Sequence, residues 1–417
     1  MPPRRAPPAF AVDLARARAH WHRRAGLAAP GGSGPADVVA RTAWPRTLGG
    51  VDVYLAVRAR LPGMSRAALD EAVARRELQV VPAVRECIYV VPRAEAPLAL
   101  KVAEESGRAR AERDQRKAGI LPGEVERVGE AVVAALAAGP LTTDQVRKAL
   151  PPGVLRPLGE AGKKVGVSSA LPAALRRLEY AGTVERLPGR FDSQRYAWRL
   201  CEGSPFDGAD VPADGVERRA RIARRFFSVA GPATAAHFAE WAALSDRDAR
   251  ASMDRAGLLP VAVDGFADEA WILEEDAASL REGPVGGDAV ALLPFEDDYL
   301  VAHGGPRPLV DPRDHARPVP VWGNTRGTTL GDAKHVSIRA LSVGDTLAGL
   351  WEYDPDAGEV VFATFRALAP AARERVAEAA HETGAFLREQ LGHGRSFSLD
   401  TDDALRERCA IVRAMGR

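Results

Sequence analysis

The spacing of apolar and polar residues repeats one helix start at two places in the chain. Residues 139–150 read GPLTTDQVRKAL, and residues 231–244 read GPATAAHFAEWAAL. In both stretches, proline excludes helix before it, and apolar residues then recur every three or four positions, which is typical of an amphipathic helix. A weaker copy, GMSRAALDEAV, lies at residues 63–73. Three similar starts predict three related structural units.

Each of these helices is preceded by a residue that can cap it. Thr142 is followed three positions later by Gln145, which completes a capping box, and Thr234 has His237 at the same place. Ser65 is the corresponding residue of the weaker copy. We therefore expect the helices to begin directly after these residues.

The elements after each start predict a winged helix-turn-helix. In the second unit, Ser168 or Ser169 caps a further amphipathic helix, Gly182 ends it, and the segments TVERL and RYAWRL then form a β-hairpin. Helices followed by a hairpin are the order of a winged helix, in which the third helix reads a DNA groove and the hairpin is the wing. The first and third units repeat this order.

The pattern changes near residue 286. Apolar, β-branched runs such as AVALLPF, DTLAGLWEY and EVVFATF alternate with Gly and Asp turns, and they predict an antiparallel sheet or small barrel with a covering helix. The predicted fold class is α+β, with three tandem winged-helix units followed by a β-rich, barrel-like domain. The predicted bounds are 1–118, 119–205 and 206–285 for the units and 286–417 for the last domain.

Composition narrows the class of protein. The 417 residues are 46% apolar and 27% charged, which is ordinary for a globular protein. Three widely spaced cysteines fit neither a disulfide framework nor a CxxC metal site, which favours a reducing compartment. The N-terminal MPPRRAPPAF lacks the apolar core of a signal peptide, and no apolar run is long enough to span a bilayer. These features predict a cytoplasmic protein without membrane contact.

Charge is distributed unevenly along the chain. Residues 1–230 hold 38 of the 57 Lys and Arg but only 25 of the 56 Asp and Glu, although the net charge is +1. A basic half joined to an acidic half favours an anionic partner for the first part, and scatter among Arg-rich domains is the alternative. Together with the winged-helix pattern, this predicts binding to the phosphate backbone of double-stranded DNA. The predicted DNA-binding residues are Lys163, Lys164, Arg176, Arg190 and Arg195.

The sequence resembles one family along most of its length. The resemblance is carried by LAVRARLPGMSRAALDEAV and VRECIYVVP in the first unit, GPLTTDQVRKAL and ALRRLEYAGTVER in the second, RRFFSVAGPATAAHFAEWAALSDRDAR in the third, and LLPFEDDYL and DTLAGLWEY in the last domain. These segments are similar to those of the AlkZ/YcaQ-type winged-helix DNA glycosylases. The resemblance implies hydrolysis of the bond between deoxyribose and an alkylated or crosslinked base.

The family's catalytic motif is Gln-x-Gln or Gln-x-Asp, and this chain departs from it. Gly50, Val51 and Asp52 stand at the matching place, so the carboxylate of the third motif position is kept, but the side-chain amide of the first position is missing. The first 110 residues contain a single glutamine, Gln79, which is predicted on a strand. Asp52 has two interpretations, a retained general base or a cap for the following helix. Tyr89 stands where many members carry histidine, and the predicted catalytic residues are Asp52 and Tyr89.

Other candidate sites have simpler interpretations. His20 and His22 form an HxH pair on an Arg-rich helix, where a surface position is favoured over a metal site. Glu296, Asp297 and Asp298 follow an apolar strand, where a structural role is favoured over metal binding or acid–base catalysis. No phosphate-binding glycine loop follows a strand, so no nucleotide cofactor is predicted, and since these spacings do not favour a metal site, no metal is predicted either.

Three functions remain open from the sequence. The first is a monofunctional DNA glycosylase that acts on bulky or crosslinking alkylation damage. The second is a non-catalytic DNA-binding protein, a regulator or lesion binder, that lacks the motif glutamine. The third is protein–protein assembly by winged helices. We predict a monomer in the bacterial cytoplasm, associated with the nucleoid.

Overall fold

The computed structural model describes residues 7–193, 195–283, 287–321 and 328–416. Helices and strands are interspersed along the whole of this range, and the fold is of the predicted α+β class.

The N-terminal part combines one strand and one helix with the first predicted unit. Its elements are β1 (Phe10–Val12), α1 (Leu14–Arg24), α2 (Pro35–Ala40), α3 (Asp52–Arg58), α4 (Arg66–Ala74), β2 (Leu78–Pro82), β3 (Ile88–Pro92) and α5 (Ala96–Ala118). Ser65 caps α4, because its Oγ accepts a hydrogen bond from the Ala68 amide, as the sequence predicted. Strands β2 and β3 pair antiparallel, which confirms the hairpin and places Gln79 on a strand.

The second unit follows its predicted order. Its elements are α6 (Glu124–Leu136), β4 (Leu141–Thr142), α7 (Thr143–Ala149), α8 (Gly159–Lys163), α9 (Leu171–Tyr180), β5 (Val184–Pro188) and β6 (Tyr196–Leu200). Thr142 and Gln145 form the predicted capping box of α7. The N-cap of α9 is Ala170, and the predicted serine contributes through Ser169 Oγ, which accepts from the Leu171 amide at 3.4 Å. Strands β4, β6 and β5 form one antiparallel sheet.

The third unit shares its sheet with the N-terminal residues. Its elements are α10 (Gly215–Ala230), β7 (Ala233–Thr234), α11 (Ala235–Ala242), α12 (Asp246–Met253), β8 (Leu258–Val263), β9 (Ala270–Leu273) and α13 (Ala277–Glu282). The strand order is β1-β8-β9-β7, with β1 parallel to β8 and Phe10 opposite Val261. Trp21 of α1 is fully buried, and its Nε1 donates to the Pro232 carbonyl at 3.1 Å. Residues that the sequence analysis assigned to the first unit therefore pack with the third.

The C-terminal domain is built on an antiparallel sheet. Its elements are β10 (Val290–Leu292), α14 (Asp298–Val301), β11 (Pro318–Val319), β12 (Thr328–Thr329), β13 (Arg339–Val343), β14 (Thr346–Asp354), β15 (Glu359–Thr364), α15 (Pro370–Phe386), the π-helical turn Leu387–Leu391 and α16 (Asp402–Met415). The strand order is β10-β13-β14-β15. In the described part of the chain β10 and β15 are the edges, so the sheet is open. Helices α15 and α16 pack on it, and α15 is the predicted covering helix.

One hydrophobic core joins the first unit to the C-terminal sheet. It contains Tyr54 of α3 and Leu69 of α4, together with Leu341 and Trp351 of the sheet and Leu387 after α15. Burying a large apolar side chain stabilises a fold by about 1.5–3 kcal/mol. The start of α3, where the catalytic motif is expected, is therefore fixed against the C-terminal domain.

Three histidines are buried without charge. His20, His22 and His303 are each 2% exposed, and burial lowers their pKa values to about 3, 4 and 3. The surface position predicted for His20 and His22 is therefore wrong. The cause is tertiary, because the helix that carries them is covered by other parts of the chain.

We expect the folded state to lose stability as the pH falls below about 6.5, because each histidine of the unfolded chain then takes up a proton. The folded histidines stay neutral down to about pH 4 or 3, so each costs about 1.4 kcal/mol per pH unit in this window. Urea unfolding at neutral and mildly acidic pH measures the change. His22→Leu should reduce the dependence, and His381→Leu, at an exposed position, should not. A His22→Leu protein with the same pH dependence as the parent contradicts the assignment.

Candidate active site

The predicted motif lies where the chain enters α3. Asp52 is the first residue of this helix, its N-cap is Val51, and no side chain caps it. The interpretation of Asp52 as a helix cap is therefore wrong. The residue is only 5% exposed, which requires a partner for its carboxylate inside the protein.

Arg339 of β13 is that partner. Its Nη2 and Nε donate to Asp52 Oδ1 at 3.0 and 3.3 Å. The same guanidinium donates to Glu352 of β14, to the Gly394 carbonyl at 2.6 Å and to Ser396 Oγ at 2.8 Å. All of these hydrogen bonds are buried, so Arg339 fixes the orientation of the Asp52 carboxylate.

The ion pair continues into a larger network. Glu352 also accepts a hydrogen bond from Arg408 of α16, and Arg408 donates to both oxygens of Asp400 at 2.7 and 3.1 Å. We call Asp52, Arg339, Glu352, Arg408 and Asp400 the buried network. It connects the first unit, the C-terminal sheet and the last helix.

The two oxygens of Asp52 have different surroundings. Oδ1 is held by Arg339, whereas Oδ2 is buried and has no hydrogen-bond partner among the described residues. Burial raises the pKa of this carboxyl to about 7, and the charge and hydrogen bonds of Arg339 oppose the increase. A carboxyl group with a pKa near the working pH is suited to act as a general base. Oδ2 is the oxygen that is free to take a proton.

A small pocket lies beside Asp52, between the first unit and the loop after β10. Asp52 and Arg46 line it from the first unit, and Phe295, Glu296 and Asp298 line it from the C-terminal domain. It offers about 20 Å³ to the centre of a water molecule, which is room for one water. Arg46 and Glu296 form an ion pair and are both partly exposed, so they stand on the solvent side of the pocket.

Asp298 is a second carboxylate on the pocket wall. Burial and the neighbouring Asp297 raise its pKa to about 7, while Arg60, Arg85 and Arg46 oppose the increase. Asp297 is held by two buried hydrogen bonds from Arg60, at 2.7 and 2.9 Å. Both residues line the pocket, and Asp297, which Arg60 holds, has the structural role that the sequence favoured.

Tyr89 of β3 lies near this acidic loop. It is fully buried, its Oη accepts a hydrogen bond from Arg85 at 3.2 Å, and burial raises its pKa to about 12. The charge of Asp298 acts on Tyr89, and Asp298 lines the pocket of Asp52, so the structure brings the two predicted residues close to one loop. Arg85 and Glu296 have φ values of 56° and 51°. Such conformations are costly for residues other than glycine and occur frequently at functional sites.

Residues 392–400, which we call the cover segment, lie against the motif. The Val51 amide donates to the Arg395 carbonyl at 2.9 Å, and the Ser398 amide donates to the Leu48 carbonyl at 3.0 Å. The cover segment is therefore bound to the loop before α3 by backbone hydrogen bonds on both sides of Gly50.

Gly50 is in direct contact with the cover segment. A Cβ at this position would lie 2.2 Å from the Ser396 carbonyl carbon and 2.4 Å from the Phe397 nitrogen. A glutamine, which the family resemblance implies here, cannot be accommodated while the cover segment is in place.

The predicted DNA-binding residues lie on several elements of the second unit. Lys163 and Lys164 are exposed at the end of α8, and Arg195 is exposed just before β6. Arg176 of α9 is partly buried, with its Nη1 3.5 Å from Glu179. The described contacts do not join these side chains into one cluster, and each of the three exposed ones faces solvent.

Arg190 is more closely held than the others. Its Nε donates to Asp192 at 2.8 Å, and its Nη2 donates to the Leu391 carbonyl at 3.0 Å. His393 Nε2 lies 3.2 Å from the same Asp192 carboxylate. The loop after β5 is thus attached to the C-terminal domain beside the cover segment, although the Arg190 side chain remains 42% exposed.

Sequence reasoning missed Arg339 and the cover segment. Arg339 interrupts the apolar run HVSIRAL, and a charged residue within a buried strand needs a buried partner, so a signal was present. The cover segment reads GHGRSFSLD, which has the composition of an exposed loop and gives no sign of its position.

The described ranges contain no group of three His, Cys, Asp or Glu side chains arranged to hold a metal ion. No helix within them is long and apolar enough to cross a membrane.

Comparison with known proteins places the chain in a family. A family model described as DNA glycosylase AlkZ-like matches residues 50–386. Among solved structures, the DNA glycosylase AlkZ of Streptomyces sahachiroi has a similar fold, with a TM-score of 0.67 and 21% identity over 90% of this chain and 97% of that chain. No curated protein sequence matches the chain.

The fold and the family match define a DNA glycosylase-like protein. Since the match extends over well over half of the residues, the chain belongs to the AlkZ-like DNA glycosylase family, as its sequence segments indicated. The cover segment lies outside the matched range.

Proposed function

We propose that this protein removes alkylated bases from duplex DNA by hydrolysing the N-glycosidic bond, with Asp52 as the general base. One observation carries the proposal. Arg339 fixes Oδ1 of Asp52, Oδ2 is buried without a hydrogen-bond partner among the described residues, and Asp52 lines a pocket with room for one water. Membership of the AlkZ-like family supports the reaction class.

The proposed hydrolysis requires that water and the Asp52 carboxylate. An N-alkylated purine is cationic, so the C1′–N bond breaks with its electron pair on the base, and the sugar gains oxocarbenium character. The water attacks C1′ and gives a proton to Asp52 Oδ2, and the negative charge of the carboxylate stabilises the developing positive charge. Gly50 has no side-chain amide, so Asp52 is the only side chain of the motif that can orient the water. The scheme uses neither a metal ion nor a nucleotide cofactor.

We propose further that the three helix–hairpin units are winged helices that hold double-stranded DNA by its phosphates. The basic balance of residues 1–230 and the exposure of Lys163, Lys164 and Arg195 support this, and Arg176 of α9 and Arg190 of the loop after β5 are the other residues that we propose contact phosphate. Phosphate contacts position a protein without selecting a sequence. The protein would act as a monomer in the bacterial cytoplasm, on nucleoid DNA.

We expect DNA binding to weaken steeply with salt. Neutralising about five phosphates gives a slope of roughly −4 to −5 for log K against log salt concentration. Lys164→Ala should weaken binding to all duplexes alike and reduce the steepness by about one unit, as measured by fluorescence anisotropy. The matched control is Arg373→Ala, at an exposed position on α15, which should change neither quantity. Salt-independent binding, or an effect of Lys164→Ala on one DNA sequence alone, contradicts the phosphate assignment.

A second function, non-catalytic lesion binding, is favoured by one feature of the site. The backbone of Ser396 and Phe397 lies against Gly50, which has no side-chain amide, and Asp52 is only 5% exposed, so its carboxylate is covered in this arrangement. Under this function Asp52 serves only the buried network. Both functions predict DNA binding. Formation of abasic sites in alkylated duplex DNA separates them, because only the glycosylase produces such sites.

A further inference from the structure

The cover segment has no regular secondary structure of its own. Residues 392–400 contain neither helix nor strand. Asp52 and its partner Arg339, in contrast, lie on α3 and β13, whose backbones are held by their own hydrogen bonds. The cover segment can therefore move without unfolding a helix or a strand.

A substrate cannot reach Asp52 in the arrangement observed. Attack on C1′ requires the water to lie within about 3–3.5 Å of that carbon. Asp52 is 5% exposed, and the pocket beside it has room for one water but not for a deoxyribose. If the proposed hydrolysis takes place at Asp52, part of the wall has to move first.

The cover segment is attached to the carboxylate through a shared cation. Arg339 Nη2 donates to the Gly394 carbonyl, to Ser396 Oγ and to Asp52 Oδ1, at 2.6, 2.8 and 3.0 Å. Displacing Gly394 and Ser396 would leave Asp52 and Glu352 as the acceptors of that guanidinium. Opening the site therefore exposes the carboxylate without removing its ion pair.

The same segment is attached to the loop proposed to face DNA. Arg190 donates to the carbonyl of Leu391, directly before the cover segment, and His393 within it bonds to Asp192. The Arg190 side chain is 42% exposed, so a phosphate oxygen can reach its guanidinium. A phosphate is a charge-assisted acceptor and is stronger than a backbone carbonyl.

We propose that residues 392–399 are a displaceable lid over Asp52, that Asp400 stays paired with Arg408 as its fixed end, and that duplex DNA releases the lid by drawing Arg190 and Asp192 away from Leu391 and His393. The consequence for excision rests on the proposed function, whereas the displacement itself depends only on DNA binding. DNA that binds the loop after β5 would thereby open the site around Asp52.

Hydrogen exchange of the full chain, with and without an unmodified duplex, tests the proposal. The amides of Val51, Ser396 and Ser398 are hydrogen-bonded when the lid is closed. We expect peptides that contain them to exchange roughly tenfold faster with DNA bound, because local opening sets the exchange rate. Peptides from α15 serve as the internal control and should not change. Unchanged or slower exchange of the lid peptides in the complex would overturn the proposal.

Two variants test the same contacts without DNA. Gly50→Ala places a methyl group 2.2 Å from the Ser396 carbonyl carbon, so its lid should exchange as fast as that of the DNA complex. His393→Ala removes the ring's bonds to Asp192 and to the Arg395 amide but leaves the contacts with Gly50 and Arg339, and it should give a smaller acceleration in the same peptides. Gly34→Ala, where nothing lies within 4 Å of the added carbon, is the matched control. A Gly50→Ala protein that folds with a fully protected lid contradicts the account.

The two proposals fail in different ways. If DNA accelerates exchange of the lid but no abasic sites form, the lid stands and the proposed hydrolysis is wrong. If abasic sites form while the lid stays protected throughout, the hydrolysis stands and the lid is wrong.

Discussion

Replacing Arg339 by methionine is expected to lower the free energy of unfolding by about 3–5 kcal/mol, which is the usual cost of breaking a buried ion pair by removing one partner. The side chain is fully buried and donates to both Asp52 and Glu352. Methionine has a similar length but no donor, so it leaves two carboxylates without their shared cation. Urea unfolding at neutral pH, followed by tryptophan fluorescence, measures the loss.

An exposed ion pair provides the control for this prediction. Arg313 is 70% exposed and pairs with Asp311 at 2.6 Å. Solvent-exposed pairs contribute little, so Arg313→Met should change the free energy of unfolding by less than about 1 kcal/mol. An Arg339→Met protein as stable as the Arg313→Met protein would show that the buried network does not stabilise the contact between the first unit and the C-terminal domain.

Asp52→Asn is expected to reduce single-turnover excision by roughly 10²-fold or more, the scale of a lost general base. Asparagine can keep an oxygen toward Arg339, but it cannot take a proton from water. DNA affinity should be unchanged, because no phosphate contact is removed. Excision by the parent should rise with pH until the carboxyl, whose pKa burial raises to about 7, is ionised. The variant should lack this rise.

A carboxylate at the surface of the same unit controls for the change of charge. Asp37 is paired with Arg41 at 3.0 Å and is 38% exposed. Asp37→Asn should leave both the rate and its pH dependence as they are in the parent. If the Asp52→Asn protein excises bases at the parent rate, Asp52 is not the general base and serves only the buried network.

Helix starts could be predicted from the sequence because they depend on a few adjacent residues. Ser65, Thr142 and Thr234 each accept a hydrogen bond from the backbone amide three residues later. Capping is settled within one turn of helix, so the necessary information lies in a short stretch of sequence. The hairpins after these helices were predictable for the same reason.

Contacts between distant residues could not be predicted in this way. Phe10 pairs with Val261, and Asp52 binds Arg339, which follows it by 287 residues. The residues around Asp52 are equally compatible with a cap and with an ion pair to a remote strand. The contact of Gly50 with the cover segment was hidden for the same reason.

The most direct test is abasic-site formation by the unaltered protein. The protein, in excess, is incubated with a duplex that carries one N7-alkylguanine, and strand cleavage at abasic sites is followed over time. The same duplex without the lesion is the control. The account predicts cleavage at the lesion only, at a rate that rises with pH up to about 7, as the pKa of Asp52 requires. Tight binding of the alkylated duplex without any abasic site would contradict it, and non-catalytic lesion binding would then be the function.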